Sequence, residues 1–225
     1  MITITFVNPK GGTGKTTSCL ILAEQLAEAG YKVGVLDCDP NRNILGWQEQ
    51  RERKAATQLF DVIAGPSEDD LIDKLAELES NYEVLLLDME GTADQIVTFA
   101  LSQTDLCIIP FEPTPMETRQ AARSVSLVSR TSKMINRPIK FVLVMTRTNA
   151  AFQTSDEKDV RSSIRDMPIL DTSLVKRAAF TRIFRDAELL KELDPGSVSN
   201  VAKAIENARL FANDVIKHLR EENPE

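Results

Sequence analysis

Residues 8–17 read Asn-Pro-Lys-Gly-Gly-Thr-Gly-Lys-Thr-Thr, and they directly follow the alternating apolar run at residues 2–7. A β-branched run, a glycine-rich bend and then a helical pattern predict a strand, a loop and a helix, the setting of a phosphate-binding loop. Glycines at positions 11, 12 and 14 let the backbone approach a ligand closely because no Cβ obstructs it. The loop N–H groups and the helix dipole would then face an anion. The stretch predicts a nucleoside triphosphate site.

Two side chains at the end of this stretch suit a triphosphate with Mg²⁺. Lys15 can reach the β- and γ-phosphates, and the Thr16 hydroxyl can ligate the metal ion. The stretch departs from the general G-x-x-x-x-G-K-[ST] pattern, because Pro9 stands where a glycine is expected and a second lysine, Lys10, opens the loop. The candidate nucleotide-binding residues of the loop are Lys10, Gly11, Gly12, Thr13, Gly14, Lys15, Thr16 and Thr17.

The segment Lys-Gly-Gly-Thr-Gly-Lys-Thr at residues 10–16 resembles the deviant Walker A motif of the ParA/MinD branch of P-loop ATPases. In that family the extra lysine reaches across a dimer interface to the nucleotide of the partner. The resemblance implies that Lys10 stabilises charge on the nucleotide of the partner, whereas Lys15 contacts the nucleotide of its own chain. A solvated loop lysine is the alternative interpretation of Lys10.

Strand-like apolar runs alternate with helical patterns along the chain. The runs occupy residues 2–7, 33–36, 84–87, 106–109 and 141–145, and the helical patterns occupy residues 16–29, 93–101, 116–129, 156–165 and 198–219. Continuous apolar strands between helices predict a parallel sheet that is covered on both faces. We therefore expect an α/β fold with a mostly parallel twisted sheet, in a single P-loop ATPase domain over residues 1–225.

Three aspartates end or follow the predicted strands, and the carboxyl edge of such a sheet is where ligands bind. Three apolar residues before Asp88 form a Walker B pattern, so we assign Asp88 to the water shell of Mg²⁺ and Thr16 to direct ligation. Asp37 and Asp39 resemble the Walker A-prime segment of the family, in which the second acid orients the attacking water and the first lies nearer the metal. The predicted metal residues are Thr16, Asp37 and Asp88, and the predicted catalytic residues are Asp39, Lys10 and Lys15.

The charge of the chain is unevenly distributed. A net charge of −7 argues against nucleic-acid binding, but residues 130–185 carry 12 of the 27 basic groups and only 5 of the 34 acidic ones. This asymmetry suggests a basic face for an anionic partner, with solvated helix faces as the alternative. Relatives carry basic residues after the last core strands, and the matching candidates for DNA contact are Lys176, Arg177, Arg182 and Arg185.

Two later segments extend the resemblance. Residues 108–115 match a proline-bearing stretch that lies near the dimer interface in the family. Residues 142–149 end in Thr-Arg-Thr-Asn, the region that flanks the base in relatives, so Arg147 or Asn149 is the candidate for contact with adenine. A solvated arginine is an equally good interpretation of Arg147.

The motifs together look most like the small ParF-like ParA partition proteins. The resemblance implies a cytoplasmic, nucleoid-associated ATPase that takes ATP and Mg²⁺ and converts ATP and water to ADP and phosphate. It would dimerise with ATP, bind DNA without sequence preference, and be released when a centromere-binding partner protein stimulates hydrolysis.

Several related functions stay open at this stage. A MinD-like role at a membrane is disfavoured because the tail after His218 is acidic, and we expect no stable membrane association. VirC-type DNA-transfer accessories and ATPases that position protein assemblies share these motifs, so both stay open as alternatives. A metabolic enzyme on this fold would use the same loop to phosphorylate a small acid.

Overall fold

Seven strands form one parallel sheet in the computed structural model of the chain, which describes residues 1–91 and 95–221. The order across the sheet is β3-β2-β4-β1-β5-β6-β7. The strands are β1 (Ile2–Phe6), β2 (Val33–Cys38), β3 (Asp61–Ala64), β4 (Val84–Met89), β5 (Leu106–Phe111), β6 (Lys140–Thr148) and β7 (Leu174–Val175). Strand β1 lies between β4 and β5, so the loop that follows it opens at the middle of the sheet.

Helices connect the strands and cover both faces of the sheet. They are α1 (Lys15–Glu28), α2 (Asn43–Arg53), α3 (Leu71–Leu78), α4 (Gln95–Ser102), α5 (Pro115–Met134), α6 (Ser155–Ser163), α7 (Ala178–Arg185) and α8 (Val201–Arg220), with a 3₁₀ turn at Leu190–Glu192. None of the helices within the described ranges is both long enough and apolar enough to cross a bilayer.

The sheet divides the apolar interior into two layers. Alternate residues of β4 point to opposite faces, so Leu86 packs in one layer and Leu87 in the other. The first layer includes Trp47 of α2, Ile183 of α7 and Phe211 of α8, and the second is closed by helices α3 to α6. The first layer therefore lies between the sheet and helices α1, α2, α7 and α8.

The predicted α/β architecture is confirmed, and each of the five predicted strands is present. Strands β2 and β4 run two residues further than predicted, which brings Asp37 and Asp88 inside the strands. Gly30 ends α1 with a φ of 93°, as expected for a left-handed terminator. The helix predicted over 93–101 is observed as α4, and residues 93 and 94 of that prediction lie outside the described residues.

Five elements are missing from the sequence-based prediction, namely β3, β7, α2, α3 and α7. Strand β3 is a short edge strand in which only Val62 is buried, so it shows no apolar run. The buried residues of α2 are Ile44, Trp47 and Arg51, and an arginine in the core hides the apolar spacing of this helix. Short elements with few buried apolar side chains leave little periodic signal.

Candidate functional site

The glycine-rich loop connects β1 to α1 at the carboxyl edge of the sheet. Gly12 and Gly14 have φ values of 81° and 99°, in the left-handed region that favours glycine. A Cβ on Gly14 would also lie 3.2 Å from Cγ2 of Thr146. Glycine at position 14 is therefore required both by backbone conformation and by the close approach of β6.

Side chains from neighbouring elements hold the loop in place. The Asn8 amide donates to the carbonyl of Pro110 at 2.8 Å, and its oxygen accepts from the Lys10 N–H at 3.0 Å. The Thr146 hydroxyl donates to the carbonyl of Thr13 at 2.8 Å. Both residues lie in stretches that the sequence analysis quotes, residues 8–17 and 142–149, but their support of the loop was not predicted.

Lys15 begins α1 and is buried beneath the loop. Its ammonium donates to the carbonyls of Asn8 at 3.0 Å and Lys10 at 3.3 Å. Burial lowers the pKa of Lys15, and the negative charges of Asp88 and Asp39 oppose that change. Lys15 lines a cavity of about 480 Å³ that the loop glycines and Thr16 also line. The cavity is lined by the donors that a polyphosphate needs.

Asp88 is the buried carboxylate of the site. Asp88 on β4 lies opposite Asp37 on β2, with the two Cα atoms in register. It is fully buried, and neither carboxylate oxygen makes a hydrogen bond of acceptable geometry with residues 1–91 and 95–221, although the Thr16 hydroxyl lies close enough to lower the pKa of Asp88. Burial raises the pKa of Asp88 to about 7, while the nearby Thr16 hydroxyl and the Lys15 ammonium partly offset the rise. A hydrated cation would supply the donors that these oxygens lack, so the residues fit Mg²⁺ beside the loop.

Asp37 has a different set of contacts. Its Oδ2 accepts from the N–H groups of Ile44 and Leu45, both at 3.0 Å, and its Oδ1 accepts from the N–H of Asp39 at 3.3 Å. Burial raises the pKa of Asp37, and these backbone hydrogen bonds oppose the rise. The structure thus makes Asp37 the cap of α2, and its place in the metal shell stays a prediction.

Asp39 lies just beyond the end of β2, as the sequence predicts. Its Oδ1 accepts from both the backbone N–H and the side-chain amide of Asn41, each at 2.8 Å. Asp39 and Asn41 line the same cavity as Lys15 and the loop glycines. The carboxylate is therefore held at the edge of the candidate phosphate site, where the predicted role in positioning water can be tested.

Lys10 forms an ion pair within its own chain. Its ammonium contacts Oε1 of Glu117, which lies in the first turn of α5 after the proline-bearing segment. The Lys10 side chain is 44% exposed and that of Glu117 is 7% exposed. Glu117 was not a sequence-based candidate, because 107 residues separate it from Lys10. The trans role of Lys10 stays a prediction.

Arg147 lies beside the loop in a second cavity, of about 250 Å³. The cavity is also lined by Gly14 and Thr17, and the Arg147 guanidinium donates to Glu112 Oε1 at 2.8 Å. The φ of Arg147 is 54°, so its backbone is left-handed. The position next to the loop is compatible with the predicted base contact, which stays a prediction.

Comparison with known proteins identifies the family. A family model described as VirC1 protein matches residues 1–220. Protein ParA from Rhizobium radiobacter is 31% identical over 224 residues, which cover 98% of this chain and 99% of that protein. The chain belongs to the ParA/VirC1 family. The predicted resemblance to ParA-type ATPases is thereby confirmed.

Solved structures show the fold of this ParA/VirC1 member. A plasmid partition protein from Borrelia burgdorferi B31, bound to AMPPNP, superimposes with a TM-score of 0.77 at 18% identity and covers 96% of this chain and 98% of its own. Cobyrinic acid a,c-diamide synthase from Mycobacterium smegmatis, with ADP and magnesium, gives 0.71 at 17% identity and covers 96% and 94%. Both likenesses confirm the fold. They also agree with the prediction of ATP and Mg²⁺, because one neighbour holds an ATP analogue and the other holds ADP with magnesium.

The structure divides the four predicted DNA-contacting residues of this ParA/VirC1 member into two groups. Lys176 and Arg177 line the 250 Å³ cavity together with Thr17, so they lie beside the candidate nucleotide site, and their contact with DNA stays a prediction. Arg182 and Arg185 both contact the carboxylate of Asp186. The Asp186 carboxylate thus contacts both arginines of the second group, and the sequence-based prediction did not include this residue.

Proposed function

We propose that this member of the ParA/VirC1 family is an Mg²⁺-dependent ATPase whose nucleotide state controls its binding to DNA without sequence preference. The observation that carries the ATPase part of the proposal is the buried Asp88, whose oxygens lack hydrogen bonds of acceptable geometry within the described ranges, next to Lys15 and Thr16 of a glycine-rich loop. A buried carboxylate without donors is unfavourable unless a ligand completes it. A cation with a triphosphate is the ligand that these three side chains suit.

In the proposed reaction each residue of the loop has a role in binding. The loop N–H groups and the Lys15 ammonium hold the phosphates, and Lys15 exchanges its carbonyl partners for phosphate oxygens. Thr16 and Asp88 would hold Mg²⁺ and its waters, and the ion would supply positive charge to the phosphate oxygens. Burial of Lys15 and Asp88 strengthens these electrostatic interactions because water is excluded.

Asp39 and Lys10 complete the proposed site. Phosphoryl transfer requires an in-line water and stabilisation of charge, with little covalent help from the protein. Asp39, braced by Asn41, would orient that water at the cavity edge. Lys10 would stabilise the charge on the nucleotide of a partner copy, and to reach it Lys10 must leave Glu117.

Dimerisation with ATP would connect this chemistry to DNA. Two copies present every basic side chain twice, which strengthens weak phosphate contacts through effective concentration. Binding that depends on such contacts should fall steeply with salt concentration. Hydrolysis, stimulated by a centromere-binding partner protein, would separate the copies and release the DNA. Such a cycle would place the protein on the nucleoid in the cytoplasm.

Phosphate release and molar mass in solution test the enzymatic part of the proposal. We expect the wild type to hydrolyse ATP only with Mg²⁺ and to form a dimer with ATP but not with ADP. Lys15→Ala should lose nucleotide binding, and Asp39→Ala should bind ATP, stay dimeric and hydrolyse it slowly. An Asp39→Ala variant that hydrolyses ATP at the wild-type rate would remove Asp39 from the mechanism, and a monomer with ATP would refute the proposed dimer.

A role in DNA transfer is the second candidate, because the matching family model is that of the VirC1 protein. The same ATPase cycle would then serve a different cargo. Deletion of the gene distinguishes the two functions in the host cell. A rise in plasmid loss at unchanged transfer frequency supports partition, whereas a fall in transfer at unchanged plasmid retention supports the transfer role.

A further inference from the structure

The first turn of α2 lies at the candidate nucleotide site, and side chains from its later turns and its C-terminal end contact the end of α7 and the residues that follow it. We propose that α2 is a strut that transmits the nucleotide state to the end of α7 and so controls whether Arg182 and Arg185 are available to an anionic partner. The inference rests on the proposed nucleotide site. It adds a physical route from that site to the basic residues.

The first turn of α2 is attached to the edge of the candidate phosphate site. Asp37 accepts from the N–H groups of Ile44 and Leu45, and no other side chain within the described ranges caps this helix. Asn43, the first residue of α2, lines the same cavity as Asp39. A phosphate that contacts Asn43, or that displaces the Asp39 segment, must therefore act on the start of α2.

The side chains of α2 reach the other end of the route, at the end of α7. The Trp47 indole donates to the carbonyl of Ile183 at 2.9 Å, Lys54 to that of Asp186, and Arg51 to that of Ala187 at 3.3 Å. The Ile183 carbonyl also accepts from the N–H of Glu188 at 3.1 Å, and Asp186 and Ala187 follow the last residue of α7. Carbonyls at a helix end lack partners within the helix, so donors from outside help to fix their position. Three donors from α2 and the segment after it occupy this helix end.

The contacts of α2 leave it little freedom to bend. The guanidinium of Arg51 is buried and also binds both oxygens of Glu192, and the Trp47 ring stacks on Phe60 with 5.8 Å between centroids. An 11-residue helix is about 16 Å long, so a small shift at its first turn displaces the donors on its later turns. Packed elements of this kind move as units and not by continuous deformation.

Asp186 converts such a shift into a change of charge. Its backbone carbonyl is bound by Lys54, and its carboxylate contacts the guanidinium groups of both Arg182 and Arg185. While these contacts hold, the carboxylate occupies donors that a phosphate would otherwise use. Displacement of Asp186 by α2 would free the two arginines, which links nucleotide binding to binding of a polyanion.

Hydrogen exchange of residues 183–192, with and without AMPPNP and Mg²⁺, tests the strut. Replacement of Arg51 would leave Glu192 unpaired and endanger folding, so the test uses the double variant Trp47→Phe with Lys54→Ala. Phenylalanine keeps the stacking on Phe60 and removes the donor. Glu49→Ala is the matched control, since Glu49 lies on the exposed side of α2. Calorimetry on the same samples measures nucleotide binding separately.

We expect AMPPNP to change the exchange rate of residues 183–192 at least fivefold in the wild type and in Glu49→Ala. In the double variant the rates with and without nucleotide should agree within twofold, although AMPPNP still binds. A purely structural role would alter both rates alike and keep their ratio, which would overturn the strut. So would a wild type that binds AMPPNP without any change in this segment. A wild type that binds no AMPPNP in the calorimeter would refute the proposed nucleotide site itself.

Discussion

Replacement of Asp88 by asparagine should stabilise the protein in the absence of nucleotide and metal, although it should abolish Mg²⁺-dependent hydrolysis. The wild-type carboxylate is fully buried, whereas the amide keeps its shape without the charge. Burial raises the pKa of Asp88 in the folded protein from 3.8 to about 7. Because the folded value is the higher one, the destabilisation by the charge is absent well below pH 3.8 and complete above about pH 7.

The size of the effect follows from these two pKa values. Linkage between 3.8 and about 7 gives a destabilisation of about 2 kcal/mol at pH 5 and about 4 kcal/mol at pH 8. The asparagine variant lacks this contribution. Its advantage in free energy of unfolding should therefore grow by about 2–3 kcal/mol between pH 5 and pH 8.

Urea unfolding in EDTA at pH 5 and pH 8 measures this advantage. Asp171→Asn is the matched control, because the Asp171 side chain is 88% exposed and should give the wild-type free energy at both pH values. Two results would refute the reasoning, namely an Asp88→Asn variant that is less stable than the wild type at pH 8, or an advantage that is equal at the two pH values.

Three further predictions concern buried or crowded positions. Burial raises the pKa of Glu24 from 4.5 to about 7. Replacement of this carboxylate in Glu24→Gln should therefore stabilise the protein by about 2 kcal/mol more at pH 8 than at pH 5. A difference in urea unfolding that does not depend on pH would contradict this. A Cβ on Gly65 would lie 2.6 Å from the carbonyl oxygen of Asp37. Because of this clash, Gly65→Ala should lower the free energy of unfolding by about 1–3 kcal/mol and should slow hydrolysis. Thermal unfolding at the wild-type temperature would exclude the clash. Glu117→Gln removes the charge that holds Lys10 within its own chain. The dissociation constant of the ATP-dependent dimer, measured by sedimentation, should therefore fall about twofold. A higher dissociation constant would show that Glu117 supports the interface.

Local signals made the phosphate loop predictable. The residue types of one short continuous stretch predict its local structure. They predict the left-handed conformations of Gly12 and Gly14 and the burial of Lys15. Strand β4, which carries Asp88, was equally predictable, because a buried parallel strand has a continuous apolar sequence.

Contacts between distant segments were not predictable in this way. Arg51 and Glu192 are 141 residues apart, and nothing in either local sequence marks the pair. Asp37 could be placed at the end of a strand, but its role as the cap of α2 depends on where the chain turns after Asp39. The same holds for Asp186, whose effect on Arg182 appears only once α7 is known to be a helix.

Retention on duplex DNA of random sequence tests most directly the claim that the nucleotide state controls DNA binding. The wild type is compared with ATP, with ADP and without nucleotide, at low and at moderate salt, with Lys15→Ala as the control that should not respond to ATP. We predict retention with ATP alone, and it should weaken steeply as salt rises. Absence of retention in every state, in a protein that still binds ATP, would contradict the claim.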